Sequence, residues 1–166
     1  MAAVLERIDY RPIQDSDRQF LFTLYASTRE EELRPVPWSA EDKVAFLKMQ
    51  FEAQHSHYMK EFTSAAFDVI ELDGQAIGRL YLDRWDDQFR IIDIAILPTH
   101  RGQGIGGQIM QSILDEAASA GKPVTIHVEG NNPAQRLYKR LGFKKVDDTG
   151  IYHLMRWDPP NAASDN

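Results

Sequence analysis

A glycine-rich turn between two apolar segments constrains the fold of this chain most. The turn is residues 101–107, Arg-Gly-Gln-Gly-Ile-Gly-Gly, and residues 89–97 before it are apolar at nearly every position. Such a segment is typical of a central strand covered on both faces. After the turn, apolar residues recur at helical spacing, which predicts a helix over residues 104–120. A buried strand therefore passes into a helix through a main chain that a ligand can approach closely.

The amides of this turn and the dipole of the following helix favour an anion such as pyrophosphate. Three interpretations of the turn compete. A Walker loop requires Lys and then Ser or Thr after the last glycine, where this chain has Gln108. A dinucleotide fingerprint matches Gly102, Gly104 and Gly107 but needs an acid near position 127, which is histidine. A tight turn without a ligand is disfavoured because so many glycines weaken a turn that nothing fills.

Periodicity and turn residues predict an α/β fold with a mixed sheet of six to seven strands flanked by four helices. Strands are predicted over residues 4–11, 67–72, 76–83, 89–97, 124–128, 144–148 and 151–157. Helices are predicted after the cap residues 15–17 with a break at residues 28–37, then from Ser39 to about Glu61, and over residues 104–120 and 133–142. Only the strands that flank the helix at 104–120 need a parallel crossover.

Composition excludes several classes of protein. The 166 residues carry a net charge of -6, which disfavours nonspecific binding to nucleic acid or an anionic membrane. There is no cysteine, and the five histidines form no metalloprotease pair, so we expect no metal and no acyl-cysteine intermediate. One domain is predicted over residues 1–158, with a flexible tail over residues 159–166. The lack of a signal-peptide pattern predicts a cytoplasmic location.

Short motifs follow one another from the apolar strand to residue 143. They are Ile94-Ala95-Ile96-Leu97-Pro98, Arg101-x-x-Gly104-x-Gly106, Asn131-x-x-Ala134, Leu137-Tyr138 and Leu141-Gly142-Phe143. Each is weak alone, but their order and spacing resemble the signature of the GNAT acetyltransferase family. The resemblance covers about residues 89–143, and the N-terminal third matches only in the order of its elements.

The resemblance implies that the fourth and fifth strands splay apart and that acetyl-CoA binds in the gap as the acetyl donor. The pantetheine arm would pair with the main chain of Ile94, Ala95 and Ile96, as an added strand does. Asn131 would hydrogen-bond the arm, and the turn would hold the pyrophosphate. The turn residues implied in binding are Arg101, Gly102, Gln103, Gly104, Ile105, Gly106 and Gly107.

In this family the free amine attacks the acetyl carbonyl directly, and a strand amide near Ile96 would stabilise the oxyanion. The resemblance makes Tyr138 the general acid that protonates the departing thiolate. Asp93 is the sharpest candidate for the base because it is the only acid in an apolar strand, although a buried aspartate satisfied by a neighbour is the competing interpretation. His127 could relay a proton but is more often structural in such a position. Members that modify protein N-termini often carry a glutamate where this chain has Ile126.

The predicted acceptor is a small-molecule amine, which would lie between the first two helices and the last strands. The acidic run Glu30-Glu31-Glu32 would favour a cationic amine, or it is simply a solvated loop. The alternatives are a protein amine, an acyl-CoA-binding sensor without turnover, and aminoacyl-tRNA, which the acidic balance disfavours. A homodimer is compatible with this prediction.

Overall fold

The computed structural model describes residues 4–160, and within them a seven-stranded mixed sheet is flanked by helices. The helices are α1 (Val4–Arg7), α2 (Arg18–Leu33), α3 (Ala40–Glu61), α4 (Ile105–Ser119) and α5 (Gln135–Arg140). The strands are β1 (Ile8–Pro12), β2 (Ala66–Leu72), β3 (Gln75–Arg84), β4 (Phe89–Ile96), β5 (Val124–Glu129), β6 (Lys144–Asp148) and β7 (Tyr152–Trp157). Short 3-10 turns lie at Asp15–Asp17 and Pro98–His100. The predicted fold class is confirmed.

The sheet has the strand order β1-β2-β3-β4-β5-β7-β6. Among the strands of residues 4–160, β4 and β5 form the single parallel pair, as expected for strands joined by α4. The β2–β3 hairpin turns at Asp73 and Gly74, whose φ angles of 51° and 81° suit the predicted two-residue loop. Ser39 caps α3, because its hydroxyl accepts a hydrogen bond from the Asp42 amide at 3.1 Å.

Two apolar clusters hold the layers together. The larger lies between one sheet face and α4, and its enclosed members include Ile91, Ile109 and Leu114. The smaller joins α2 to α3 through Leu21 and Phe51. Leu80 of β3 belongs to the larger cluster, whereas its neighbour Arg79 bonds to Gln54 of α3, so the helix pair α2–α3 and helix α4 cover opposite faces of the sheet.

Two details differ from the sequence prediction. Residues 4–11 are not one strand, because Val4 to Arg7 form α1 and Val4 packs onto the larger core cluster. This short helix adds a fifth to the four predicted. Helix α2 does not break at residue 28 but continues to Leu33, since residues 18–34 contain no glycine or proline. Most of the predicted tail, residues 161–166, lies outside the described residues.

Candidate active site

The parallel pair β4–β5 is joined over only part of its length. Paired residues are Phe89 with Val124, Arg90 with Thr125, and Ile91 with Ile126. Beyond them β4 continues to Ile96 and β5 to Glu129 without pairing to each other. We call this gap, between residues 92–96 of β4 and residues 127–129 of β5, the seam. It leaves one edge of β4 available for an added extended chain.

A bulge in β4 marks the start of the seam. On β3, Leu82 lies opposite Ile91 and Tyr81 lies opposite Asp93, so Ile92 is an extra residue on β4. A bulge bends its strand and increases the local twist. The bend occurs where β4 leaves β5, and it turns the Asp93 side chain to the same face as Tyr81.

The other edge of β4 is held unusually close by Gly78 of β3. A Cβ on Gly78 would overlap the carbonyl oxygen of Ala95 and lie 3.2 Å from the Cα of Ile96. Only glycine fits, because both of these neighbours are main-chain atoms. Sequence analysis did not identify Gly78, since a lone glycine inside a strand pattern does not indicate which atoms approach it.

The turn after β4 presents a row of free amides. Within residues 4–160, the N–H groups of residues 102–107 donate to no acceptor, and α4 begins at Ile105. Gly102 and Gly104 have φ angles of 74° and 79°, in the left-handed region that favours glycine. The turn thus brings unpaired donors and the positive end of a helix dipole to one place, a feature suited to phosphate.

The side chain of Arg101 does not join this row of amides directly. Its Nε donates to the Ile96 carbonyl oxygen at 2.8 Å, and its Nη2 donates to Ser27 Oγ of α2 at 3.1 Å. The arginine therefore ties the end of β4 to α2. A second arginine, Arg29 of α2, contacts Glu129 at the end of β5 at 2.9 Å. Helix α2 is bonded to the strands on both sides of the seam.

Tyr138 of α5 is buried, with 4% of its surface exposed, and packs on Phe143 at a ring distance of 5.8 Å. Within residues 4–160 its hydroxyl has no hydrogen-bond partner, yet it is not among the fully enclosed unpaired atoms. Burial, and then the charge of Asp93, raise the pKa of Tyr138 to about 12. The phenol is therefore neutral and able to donate a proton throughout the physiological range.

Asp93 is not isolated. Its carboxylate forms an ion pair with Arg79 of β3, whose side chain is only 4% exposed, and Arg79 also donates to Gln54 of α3 at 3.0 Å. The Arg79 guanidinium lies over the Tyr81 ring at 4.9 Å. Burial, and then the charge of Asp93, raise the pKa of Tyr58 on α3. The structure thus provides the arginine partner that the competing interpretation of Asp93 required.

The loop after β5 is fixed by side chains that sequence analysis missed. Asn131 is exposed, whereas the neighbouring Asn132 accepts from the Ala134 amide at 2.8 Å. The Gln135 side chain donates to the carbonyls of Glu129 and Gly130 at 2.8 and 2.9 Å. These bonds hold the segment on which Asn131 stands. No periodicity distinguishes Gln135 from an ordinary helical glutamine, but Arg79 inside an apolar strand could have been matched with Asp93.

Other predicted features have ordinary surroundings. His127 is exposed over much of its surface, yet partial desolvation of its ring, followed by the charge of Arg90, lowers its pKa. In the acidic run, Glu32 contacts Arg29 at 3.2 Å. Glu30 lines a groove of about 440 Å³ between α2 and α3 that also contains Arg34 and Lys43. The charge of the groove is mixed, which weakens the argument for a cationic acceptor there.

The described residues contain neither a membrane-spanning helix nor a cluster of metal-ligating side chains. None of the helices within residues 4–160 has the length and apolar character that crossing a bilayer requires. In the same residues, no group of three or more His, Asp or Glu side chains is placed to hold a metal ion.

Comparisons with known proteins agree with this architecture. The model of the acetyltransferase (GNAT) family matches residues 21–143. A Bacillus subtilis protein, named as a candidate ribosomal protein bS18-alanine N-acetyltransferase, is 31% identical over 132 residues, which cover 73% of this chain and 78% of that protein. An N-alpha-acetyltransferase of Sulfurisphaera tokodaii is 30% identical over 104 residues, covering 54% of this chain and 62% of its own length.

A solved structure shares the fold at low identity. It is the PaiA N-acetyltransferase of Thermoplasma acidophilum in complex with coenzyme A, with a TM-score of 0.67, 16% identity, and coverage of 91% of this chain and 98% of that one. Together with the open seam and the free amides of the turn, the family match settles the classification. The chain belongs to the GNAT family of acetyltransferases.

Proposed function

We propose that this protein transfers the acetyl group of acetyl-CoA to a primary amine. One observation carries the proposal: the unpaired edge of β4, which ends at Ile96, leads through one short 3-10 turn to the free amides of residues 102–107. A pantetheine arm needs main-chain partners, and a pyrophosphate needs converging donors. The two are adjacent here and in the order that coenzyme A requires.

The chain's own residues would act as follows. The main chain of Ile94, Ala95 and Ile96 would hold the pantetheine arm, with Asn131 on the opposite side of the seam. Residues 102–107 would hold the pyrophosphate. Arg101 would need to release the Ile96 carbonyl, which it bonds at 2.8 Å, before that carbonyl could accept from the arm. Bound acetyl-CoA supplies the thioester that the amine attacks.

Tyr138 would donate the proton that the departing sulfur needs. Its neutral form is favoured by burial, and its hydroxyl has no competing partner within residues 4–160. An amide of β4 near Ile96 would stabilise the developing oxyanion. Asp93, whose charge influences Tyr138, would receive the amine proton. Its ion pair with Arg79 keeps open the alternative that Asp93 only satisfies a buried cation.

The proposed acceptor is a small-molecule amine, and the second candidate is a protein amine. The names of the two curated relatives favour the second candidate. Against it, Ile126 stands where relatives that modify protein N-termini often have a glutamate. A panel of both acceptor types, assayed by release of free thiol from acetyl-CoA, decides between them.

The Tyr138→Phe variant tests catalysis against simple binding of acyl-CoA. An enzyme loses about 10²- to 10⁴-fold in kcat when its general acid is removed, while its affinity for coenzyme A in calorimetry changes little. A protein that only binds acyl-CoA shows no thiol release in either form. Absence of heat with coenzyme A would remove the basis of the proposal.

A further inference from the structure

A row of cations crosses the C-terminal half of the sheet. Lys144 of β6 lies opposite Arg156 of β7, Arg156 lies opposite Thr125 of β5, and Thr125 lies opposite Arg90 of β4. Residues directly opposite one another in neighbouring strands point to the same face. Four adjacent strands therefore present Arg90, Thr125, Arg156 and Lys144 side by side, and three of the four are cationic.

This row lies on the face of the sheet that also carries Asp93, the proposed base. Arg90 lies opposite Asp83 of β3, and Asp93 lies opposite Tyr81. Residues 81 and 83 share a face, so Arg90 and Asp93 do as well. They are separated by two residues of β3, or about 7 Å along the sheet. An acceptor whose amine enters the seam at Asp93 would have Arg90 within reach of its other end.

The described surroundings of Arg90 leave its positive charge without an acidic partner. Within residues 4–160 no carboxylate lies within salt-bridge distance of it. Its Nε donates to Thr125 Oγ1 at 2.8 Å, and its guanidinium lies over the Trp85 ring at 5.0 Å. Burial lowers the pKa of Arg90, and only the more distant charge of Asp87 opposes that shift. Half-buried cations without an acid partner are unfavourable unless something compensates them.

His127 adds a second donor beside this arginine. Its Nδ1 lies 3.3 Å from Arg90 Nη1, and because arginine can only donate, Nδ1 accepts. The neutral ring must then carry its proton on Nε2, where it can donate to a ligand. Arg156 is less free, since it contacts Asp158 at 3.0 Å, but this pair is exposed and weak.

Charge balance also favours an anion here. Like charges directly opposite in a sheet repel, as Arg156 and Lys144 must, so this face is locally cationic although the chain as a whole carries a net charge of -6. We infer that Arg90 and His127 bind a carboxylate on the acceptor, so that the enzyme selects amines carrying an acidic group. This inference rests on the proposed acetyl transfer to an amine.

A matched pair of acceptors tests the inference. The pair is ε-aminocaproate and its carboxamide, which have the same amine and chain but differ in charge. We expect kcat/KM to be about 10- to 100-fold higher for the carboxylate, the range of a charge-assisted contact. The Arg90→Gln variant should lose this preference while its rate with the carboxamide stays the same. Equal rates of the wild-type protein with both acceptors would overturn the inference.

Controls separate charge from folding. Arg84→Gln removes an equally sized cation from β3 that is paired with Glu116, and it should keep the preference. Arg90→Lys keeps the charge and should retain part of it. If Arg84→Gln abolishes the preference as fully as Arg90→Gln, the effect is one of overall charge and the inference fails.

Binding of the reaction product keeps this test independent of turnover. Calorimetry compares N-acetyl-ε-aminocaproate with its carboxamide, using the wild-type protein with coenzyme A present. Tighter binding of the acid, lost in Arg90→Gln, supports the site even if no amine is acetylated, in which case the proposed function alone fails. Equal binding of the two products would contradict the site, whereas acetylation of both acceptors at the same rate would leave the proposed function intact.

Discussion

The ion pair between Arg79 and Asp93 allows the two interpretations of Asp93 to be separated by a double-mutant cycle. Asp93→Asn leaves the Arg79 guanidinium buried without its partner, and that side chain is only 4% exposed. Removing one member of a buried pair costs about 3–5 kcal/mol. Because Asp93 itself is 21% exposed, some solvation of the pair is retained, and we expect a loss of about 2–3 kcal/mol in the free energy of unfolding.

The second variant, Arg79→Met, leaves a partly exposed carboxylate that water can solvate. We expect it to lose about 1–2 kcal/mol, and the double variant to be nearly as stable as the wild type, because it carries no uncompensated charge. The coupling free energy from urea unfolding, which is the sum of the two single losses minus the loss of the double variant, should then be about 3–5 kcal/mol. Coupling near zero would refute the ion-pair argument.

The kcat values of the wild type, the two single variants and the double variant decide the role of Asp93. If Asp93 is the base, both variants lacking its carboxylate lose about 10²- to 10⁴-fold in kcat, although the double variant is stable. If Asp93 only compensates Arg79, the double variant regains most of the wild-type kcat. Thiol release under saturating acetyl-CoA and amine is the assay, and regained activity would refute a base at this position.

Three further predictions follow from single residues. Gly78→Ala should lower the free energy of unfolding by about 1–3 kcal/mol and weaken coenzyme A binding in calorimetry, because the new Cβ displaces the main chain of β4. Gly104 has a φ of 79°, and no atom lies nearer than 3.9 Å to an added Cβ, so Gly104→Ala should lose only the stability that backbone strain costs, about 1–2 kcal/mol in urea unfolding. The matched control Gly106→Ala should lose no stability. The Tyr138 hydroxyl binds its proton more tightly in the folded protein, which adds about 2–3 kcal/mol to the free energy of unfolding. This contribution is complete below pH 10 and is lost as the pH rises toward 12. Tyr138→Phe should therefore lack this alkaline decrease in stability in urea titrations.

Sequence analysis predicted the parts of the fold that depend on short-range patterns. The apolar strand, the glycine turn and the helix α4 are adjacent in the chain, so their order alone predicted β4, the row of amides and the parallel crossover to β5. Helix α1 was missed because Val4 packs on a core assembled from distant elements. Tertiary packing decided that segment, and local propensity did not.

Contacts across the sheet could not be predicted in this way. The pairing of Arg79 with Asp93 depends on the β3–β4 register and on the extra residue at Ile92, and neither is encoded by spacing along one strand. The same holds for Arg90 and Arg156, which are 66 residues apart in sequence and become near neighbours only through Thr125.

The three-residue junction between β4 and β5 has a consequence for the intact protein in the cell. Few main-chain hydrogen bonds join the two halves of the sheet. Bound acetyl-CoA would therefore add bonds between β4 and β5 that are lost again when it dissociates. A ligand present at about 100 times its Kd adds about 2.7 kcal/mol to the folded state. The abundance of this protein would then follow the supply of acetyl-CoA, because proteases degrade an opened sheet more readily than a completed one.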